Sequence, residues 1–288
     1  MDRRNIDWNG IHFQVPRDWE ITRIDRRYLV LESVGAPQME VKWHAIRGPF
    51  RRARYYKRLS DACGASGRFE PMDLPNAWRS ALADFTAAAF TWQKGKLQSR
   101  GVVLHCRTCR KVCLVQFFGT LAARTDDVAR QILATFRDHA EDSVRDWSVF
   151  DIRARLPRPY VLKHFCFEAG RYELVWQHKR RMLTLMRWGP AAALLDGRKL
   201  AAFAARQLGI AEHRWQPAGG ASAKTALQWR RPATRMAVWQ LFPAPVRVQA
   251  ARIWHRPAEN RILAAVFKDC KAIEQDDLDT ICGSYEAL

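Results

Sequence analysis

The densest concentration of reactive side chains is a nine-residue run, His105-Cys106-Arg107-Thr108-Cys109-Arg110-Lys111-Val112-Cys113. Cys106 and Cys109 form a C-x2-C pair, a spacing that lets two sulfurs face one ion from a turn. His105 or Cys113 would add a third ligand, so His105, Cys106, Cys109 and Cys113 are the candidate zinc ligands. Arg107, Arg110 and Lys111 would lower the thiol pKa values and favour thiolate. No second C-x2-C or H-x3-H completes a tetrahedral set. A redox C-x-x-C needs a strand on one side and a helix on the other, and here strands are expected on both. The remaining reading is a plain hairpin turn with thiols on strand faces. The corresponding hairpin of the second half, between Trp254 and Asn260, has no cysteine. The cluster is therefore not needed to build the domain.

Basic and aromatic residues interleave in several places. Arg51, Arg52, Arg54, Lys57 and Arg58 surround Tyr55 and Tyr56 on an expected helix, and Lys179, Arg180 and Arg181 lie between Trp176 and Trp188. Arg230 and Arg231 follow Trp229. Arginine beside aromatic rings suits phosphate contact and base stacking. The same pattern also describes strands with a tryptophan core on one face and a solvated basic face on the other. No recognised nucleic-acid module shows its signature. G-x-S-x-G, Walker A, G-x-G-x-x-G and H-E-x-x-H are absent. Asp126-Asp127 and Asp276-Asp277 read as helix caps, and Gly219-Gly220 with Lys224 as a flexible loop.

The 288 residues carry 48 Lys and Arg against 29 acids, a net charge of +19, with a pI near 10.2. The excess is spread evenly: residues 1–140 contribute +10 and the rest +9. A folded surface of this sign attracts nucleic acid, acidic proteins or anionic lipid. A genome that uses arginine freely would give the same total. Twelve Trp argue against disorder. No secretory leader and no 18-residue apolar run is seen. Seven mostly scattered cysteines suit a reducing cytoplasm better than a disulfide framework.

The elements that must position these residues are written twice. Val15-Pro16-Arg17 opens the first half and Leu156-Pro157-Arg158 the second. Gly48-Pro49 and Gly189-Pro190 each place their proline 33 residues beyond the opening one. A repeat of about 140 residues is one domain's length of chain. Alternation predicts strands at Ile11 to Val15, Tyr28 to Leu31 and Met39 to Ala45. A helix follows from Phe50 to Cys63, stopped by Gly64. Residues 66–76 look irregular. Strands are expected across Phe85 to Trp92 and Gly101 to Gly119, then a helix around Val128 to Phe136. The second half repeats the order. Strands are expected around Tyr172 to Trp176 and Met182 to Met186, then one helix from Leu195 to Leu208. Further strands are expected at Leu227 to Trp229, Met236 to Leu241, Val246 to Trp254 and Ile262 to Phe267, before a closing helix. Asp138 to Trp147 reads as a short polar linker.

Phe13-Gln14-Val15-Pro16-Arg17-Asp18-Trp19 resembles the F-x-V-P-x-x-W start of the PsbP-like fold, and Ile132-Leu133-Ala134-Thr135-Phe136 is similar to its closing helix. Leu156-Pro157-Arg158-Pro159-Tyr160 and Ile281-Cys282-Gly283-Ser284-Tyr285 are degraded counterparts. The resemblance touches both ends of each half and little of the middle. It implies an α+β sandwich in each half. It also implies a binding role, because that family mostly consists of binding proteins without catalytic residues.

The expectation is thus α+β, with two tandem related domains, 1–140 and 147–288, each a mostly antiparallel sheet with helices packed on it. The expected function is a non-catalytic cytoplasmic binding or adaptor protein whose basic surface engages an acidic protein partner. The alternatives are a nucleic-acid-binding protein, or a zinc or thiol protein built on the Cys106-Cys109-Cys113 turn.

Overall fold

A computed structural model describes residues 2–64, 66–119, 123–139, 143–219, 225–232 and 245–288. The chain divides into two compact units, Met1–Asp142 with Trp147–Phe150, and Ser143–Asp146 with Asp151–Leu288.

The first unit opens with a hairpin, β1 (Arg3–Trp8) and β2 (Ile11–Pro16). Then come β3 (Glu20–Asp25), β4 (Tyr28–Ser33), β5 (Ala36–Ala45) and helix α1 (Arg52–Cys63). β6 (Gly67–Met72), the single turn α2 (Asn76–Arg79), β7 (Phe85–Lys94), β8 (Leu97–Cys106), β9 (Lys111–Phe118) and α3 (Ala123–Thr135) complete it. Seven strands form one antiparallel sheet in the order β3-β4-β5-β9-β8-β7-β6.

Strand alternation sends successive side chains of β8 and β9 to opposite faces. Val103, Val112 and Leu114 meet Tyr55, Tyr56 and Leu59 of α1, together with Phe50, Phe69 and Phe90. On the other face Phe136, just past α3, stacks on Phe13 of β2 with centroids 6.1 Å apart, and Trp78 packs edge-on to Phe117. Trp8 and Trp78 are completely buried.

In the second unit the chain passes through β10 (Val144–Val149), whose residues divide between the units, and then β11 (Ile152–Pro157). Next are β12 (Val161–Glu168), β13 (Arg171–His178), β14 (Arg181–Trp188), α4 (Ala191–Leu195) and α5 (Leu200–Leu208). β15 (Gln216–Pro217), β16 (Ala226–Arg230), β17 (Arg247–Arg256), β18 (Arg261–Asp269), α6 (Gln275–Ser284) and β19 (Glu286–Ala287) follow. Its sheet runs β12-β13-β14-β18-β17-β16-β15, all antiparallel. Strand for strand, this is the order of the first sheet. Both first strands carry a β-bulge at matching positions: Leu162 and His164 lie 141 residues beyond Ile21 and Arg23.

Several expectations change. The stretch after α1 contains β6, whose Gly67 and Pro71 disguise a strand with little burial. β3 carries no alternating stripe in the sequence because, among its residues, Ile21 alone is buried. The single helix expected from Leu195 to Leu208 is broken, because Asp196 takes a left-handed conformation at φ 46°. α5 ends at Gly209, also at positive φ, as expected for a glycine stop. The expected strand at Met236 to Leu241, and Gly220 and Lys224, lie outside the described residues.

Gly101 shows how tightly the α1 face is packed. It pairs with Phe90 across β7 and β8, and a Cβ there would lie 2.2 Å from the ring. Phe90 is fully buried and has no room to retreat. Gly101→Ala is expected to destabilise the fold by about 1–3 kcal/mol, measured by urea unfolding. An unchanged midpoint would contradict this packing.

Candidate functional site

Two constellations in the first unit bring chemically active side chains together. The first is built on the turn between β8 and β9. Cys106 ends β8, and the Arg110 amide donates to the Cys106 carbonyl at 3.0 Å, with Arg110 at φ 56°. That closes a tight loop with Cys106 and Cys109 on its inner side. The Cys109 amide points at Cys106 Sγ, 3.5 Å away.

The other side of the site is the chain just beyond α3. Its backbone is held by reciprocal hydrogen bonds between His12 and Arg137, both 2.8 Å. The next two residues are thereby placed against the cysteine turn. The Cys109 thiol donates to Asp138 Oδ2 at 2.8 Å. His139 Nδ1 lies 2.7 Å from Asp138 Oδ1 and 3.6 Å from Cys106 Sγ. Asp138 is 1% exposed. Lys111 donates to the main-chain oxygens of Gly10 and Asp138 and clamps the segment from the β9 side. Among the described residues, the metal-capable group is therefore Cys106, Cys109, Asp138 and His139.

The predicted quartet is corrected accordingly. His105 precedes Cys106 on a strand, so it faces the α1 side and stacks flat on Phe50 at 4.9 Å. Cys113 shares the face of Cys106 but lies one pair deeper, opposite Leu104, and is buried; it is not among the four clustered donors. The expected lowering of the thiol pKa is reversed at Cys109 and Cys113. Burial, then the Asp138 carboxylate, pushes Cys109 up to about 12, and burial raises Cys113 as well. Neither Asp138 nor His139 was named as a ligand from the sequence. The segment read as a polar linker, and an aspartate pulled into a core leaves no local signal.

The second constellation is a concave basic surface along α1 and the Gly48-Pro49 turn, lined by His44, Arg47, Arg51, Arg54, Tyr55 and Arg58. Arg51, Arg52, Arg54, Lys57 and Arg58 are all exposed. Lys57 pairs loosely with Asp61 at 3.6 Å, and Arg52 lies over the Tyr56 ring at 5.8 Å. Among the described residues, no carboxylate lies within ion-pair distance of Arg47, Arg51, Arg54 or Arg58. Burial, then Arg58, Arg27 and Arg54, holds the His44 pKa below its usual value, so the groove carries its charge on arginine and lysine.

The basic residues predicted in the second unit do different work. Arg181 is a structural pivot, held by Asp269 at 2.9 Å and Asp277 at 2.6 Å, and is corrected from the polyanion-binding set. Arg230 donates to Gln275 and to the Ile273 carbonyl, and Arg231 donates to the Val248 carbonyl at 2.9 Å. Lys179 is exposed in the β13–β14 turn, next to Arg180. The expected aspartate caps are corrected too. Asp126 pairs with Arg100 and Asp277 with Arg181, and no side chain caps α6.

No family model matches the chain, and no curated protein is similar to it. Among solved structures, the Saccharomyces cerevisiae Ran-binding protein Mog1p aligns at 7% identity and a TM-score of 0.34, covering 48% of this chain and 96% of its own. A Mog1 E65A mutant aligns at 7% identity and 0.35 over 49% and 98%. The T6SS immunity protein TplEi of Pseudomonas aeruginosa aligns at 9% identity and 0.34 over 100% and 97%. Similarity at this level assigns neither chemistry nor partner.

The Arg181 pivot has a pH signature. Burial alone would raise the Asp269 pKa, but hydrogen bonds from Arg181, Cys270 and Lys271 outweigh it and hold the carboxyl below its usual value. Its contribution to stability is therefore full above about pH 4, the unfolded value, and is lost as pH falls through the lower folded value. Urea unfolding at pH 7 and at pH 3 should show this acid loss shrink in Asp269→Asn. An identical loss in both proteins would refute the role given to Asp269.

Proposed function

We propose that the protein is a non-catalytic binding or adaptor protein that engages an acidic protein partner through the basic groove of α1. The observation that carries this is the set of arginines without acidic partners around His44 and Tyr55. Several arginines elsewhere are absorbed by the protein itself: Arg187 and Arg261 share Asp151, and Arg252 is held by Asp279. Unneutralised charge held on a helix steers a partner of opposite sign. We further infer that both units descend from one ancestral unit copied in tandem, supported by their common strand order and matching bulges. Only the first copy keeps an arginine-rich helix at this place. α4 and α5, which follow Gly189-Pro190, are built largely of alanine and leucine.

Seven free thiols fit a reducing compartment such as the cytoplasm. No helix among the described residues is long and apolar enough to cross a membrane.

The test is titration of the full chain with fluorescent poly-glutamate and, separately, with duplex and single-stranded DNA, at rising salt. Poly-glutamate is expected to bind more tightly than either DNA at matched charge. Arg51→Glu/Arg54→Glu/Arg58→Glu should weaken that binding at least about tenfold, since each exposed charge contributes on the order of 0.2–1 kcal/mol and reversal doubles the effect. Tighter binding to DNA, lost in the same variant, would replace this reading with a nucleic-acid-binding one.

A further inference from the structure

We propose that Cys106, Cys109, Asp138 and His139 form a binding site for one divalent metal ion of the zinc class, a property independent of the acidic-partner reading. Their four donor atoms lie within 4.8 Å of one another. A tetrahedral zinc ion with bonds of about 2.0–2.3 Å sets its ligands about 3.3–3.8 Å apart. Cys106 Sγ and His139 Nδ1 already stand 3.6 Å apart. The Cys109–Asp138 and Asp138–His139 contacts, at 2.8 and 2.7 Å, are hydrogen bonds that would open by roughly 0.5–1 Å when the ion replaces the shared protons.

The donor chemistry selects the metal. Two sulfurs, one imidazole nitrogen and one carboxylate oxygen are a borderline-soft set. Magnesium and calcium take oxygen donors instead. Charge also closes: two thiolates and a carboxylate offset the dication with one negative charge over, and the Lys111 ammonium sits against the Asp138 carbonyl. The Cys109 amide aimed at Cys106 Sγ supports a sulfur carrying negative charge. The ion would enter beside His139, whose side chain is 27% exposed, while Asp138 closes the inner side.

The strongest argument comes from the second unit, which builds the same corner without these residues. The β17–β18 turn corresponds to the β8–β9 turn: β17 ends at Arg256, β18 begins at Arg261, and Asn260 repeats the positive φ of Arg110, 54° against 56°. There an Arg256–Glu259 ion pair occupies the positions of Cys106 and Cys109. The pairing of Arg153 with Glu286 mirrors that of His12 with Arg137, so Ala287 and Leu288 stand where Asp138 and His139 do. A buried polar cluster kept only to close the corner would not need four ligating residues at once. All four are present in one unit and all four are replaced in the other.

Cobalt(II) titration of the full, reduced chain tests the assignment, because thiolate-to-cobalt charge transfer and intense tetrahedral d–d bands report sulfur ligation directly. One equivalent of cobalt is expected to bind, and zinc to displace it. Cys109→Ser and His139→Gln should each lower affinity at least about tenfold, while His105→Ala keeps both bands and stoichiometry. Zinc should raise the melting temperature of the parent protein and leave that of His139→Gln nearly unmoved. His139 is only partly buried, so that variant serves even where Cys109→Ser fails to fold. Absence of tetrahedral bands in the parent protein would overturn the proposal. So would unchanged cobalt affinity in His139→Gln, or loss of the bands in His105→Ala.

Discussion

The antiparallel pairing of β5 with β9 is the constraint on which the first unit depends. These strands are distant in sequence. Everything from α1 to β8 is an excursion that must return in register before Trp43 can face Cys113 and Met39 can face Phe117. Closing such a loop has an entropic cost that only long-range burial offsets. The residues at the join are accordingly apolar and hidden: Met39, Val41, Trp43, Cys113, Val115 and Phe117 are all buried. The second unit solves the same problem with β14 and β18, where Leu183 meets Phe267 and Leu185 meets Ala265.

That return fixes the place of the chemistry. Once β9 is registered on β5, the β8–β9 turn projects from one end of the sheet, and alternation decides which side chains share a face. Cys106 goes to the side of α3 and β2, and His105 goes to the side of α1. The sheet therefore separates a thiol-rich corner from a cationic groove, although neighbouring residues contribute to both. α3 then delivers Asp138 and His139 to the corner because the backbone bridge to His12 leaves the chain little freedom there.

Much of the framework was legible in the sequence because it depends on local signals. The alternation of Met39, Val41 and Trp43, the glycine after α1 and the proline landmarks mark elements by their own residues. β3 and β6 were invisible for a physical reason. Edge strands bury few side chains, so their composition carries no stripe. The site was half legible. The C-x2-C spacing is local and stood out. Its partners Asp138 and His139 reach it only through tertiary packing, and their polarity suggested a solvated linker. His105 stands apart from Cys106 because adjacent residues of a strand point to opposite faces and do not share a ligand sphere. The basic helix could be seen, but which arginines pair within the chain, as Arg181 does with Asp269 and Asp277, is a property of the folded arrangement.

The outer strands of the two seven-stranded sheets carry a consequence of their own. β3 and β12 are each interrupted by a bulge, while β6 contains Pro71 and β15 is two residues long and ends in Pro217. A kinked ladder, or one lacking an amide donor, is a poor template for another polypeptide in extended form. Recruitment of a peptide as an added strand, and runaway self-stacking through open borders, are thereby disfavoured at these margins. Recognition is left to the side chains displayed above and below the sheets, where sequence can change without disturbing the hydrogen-bonded lattice beneath.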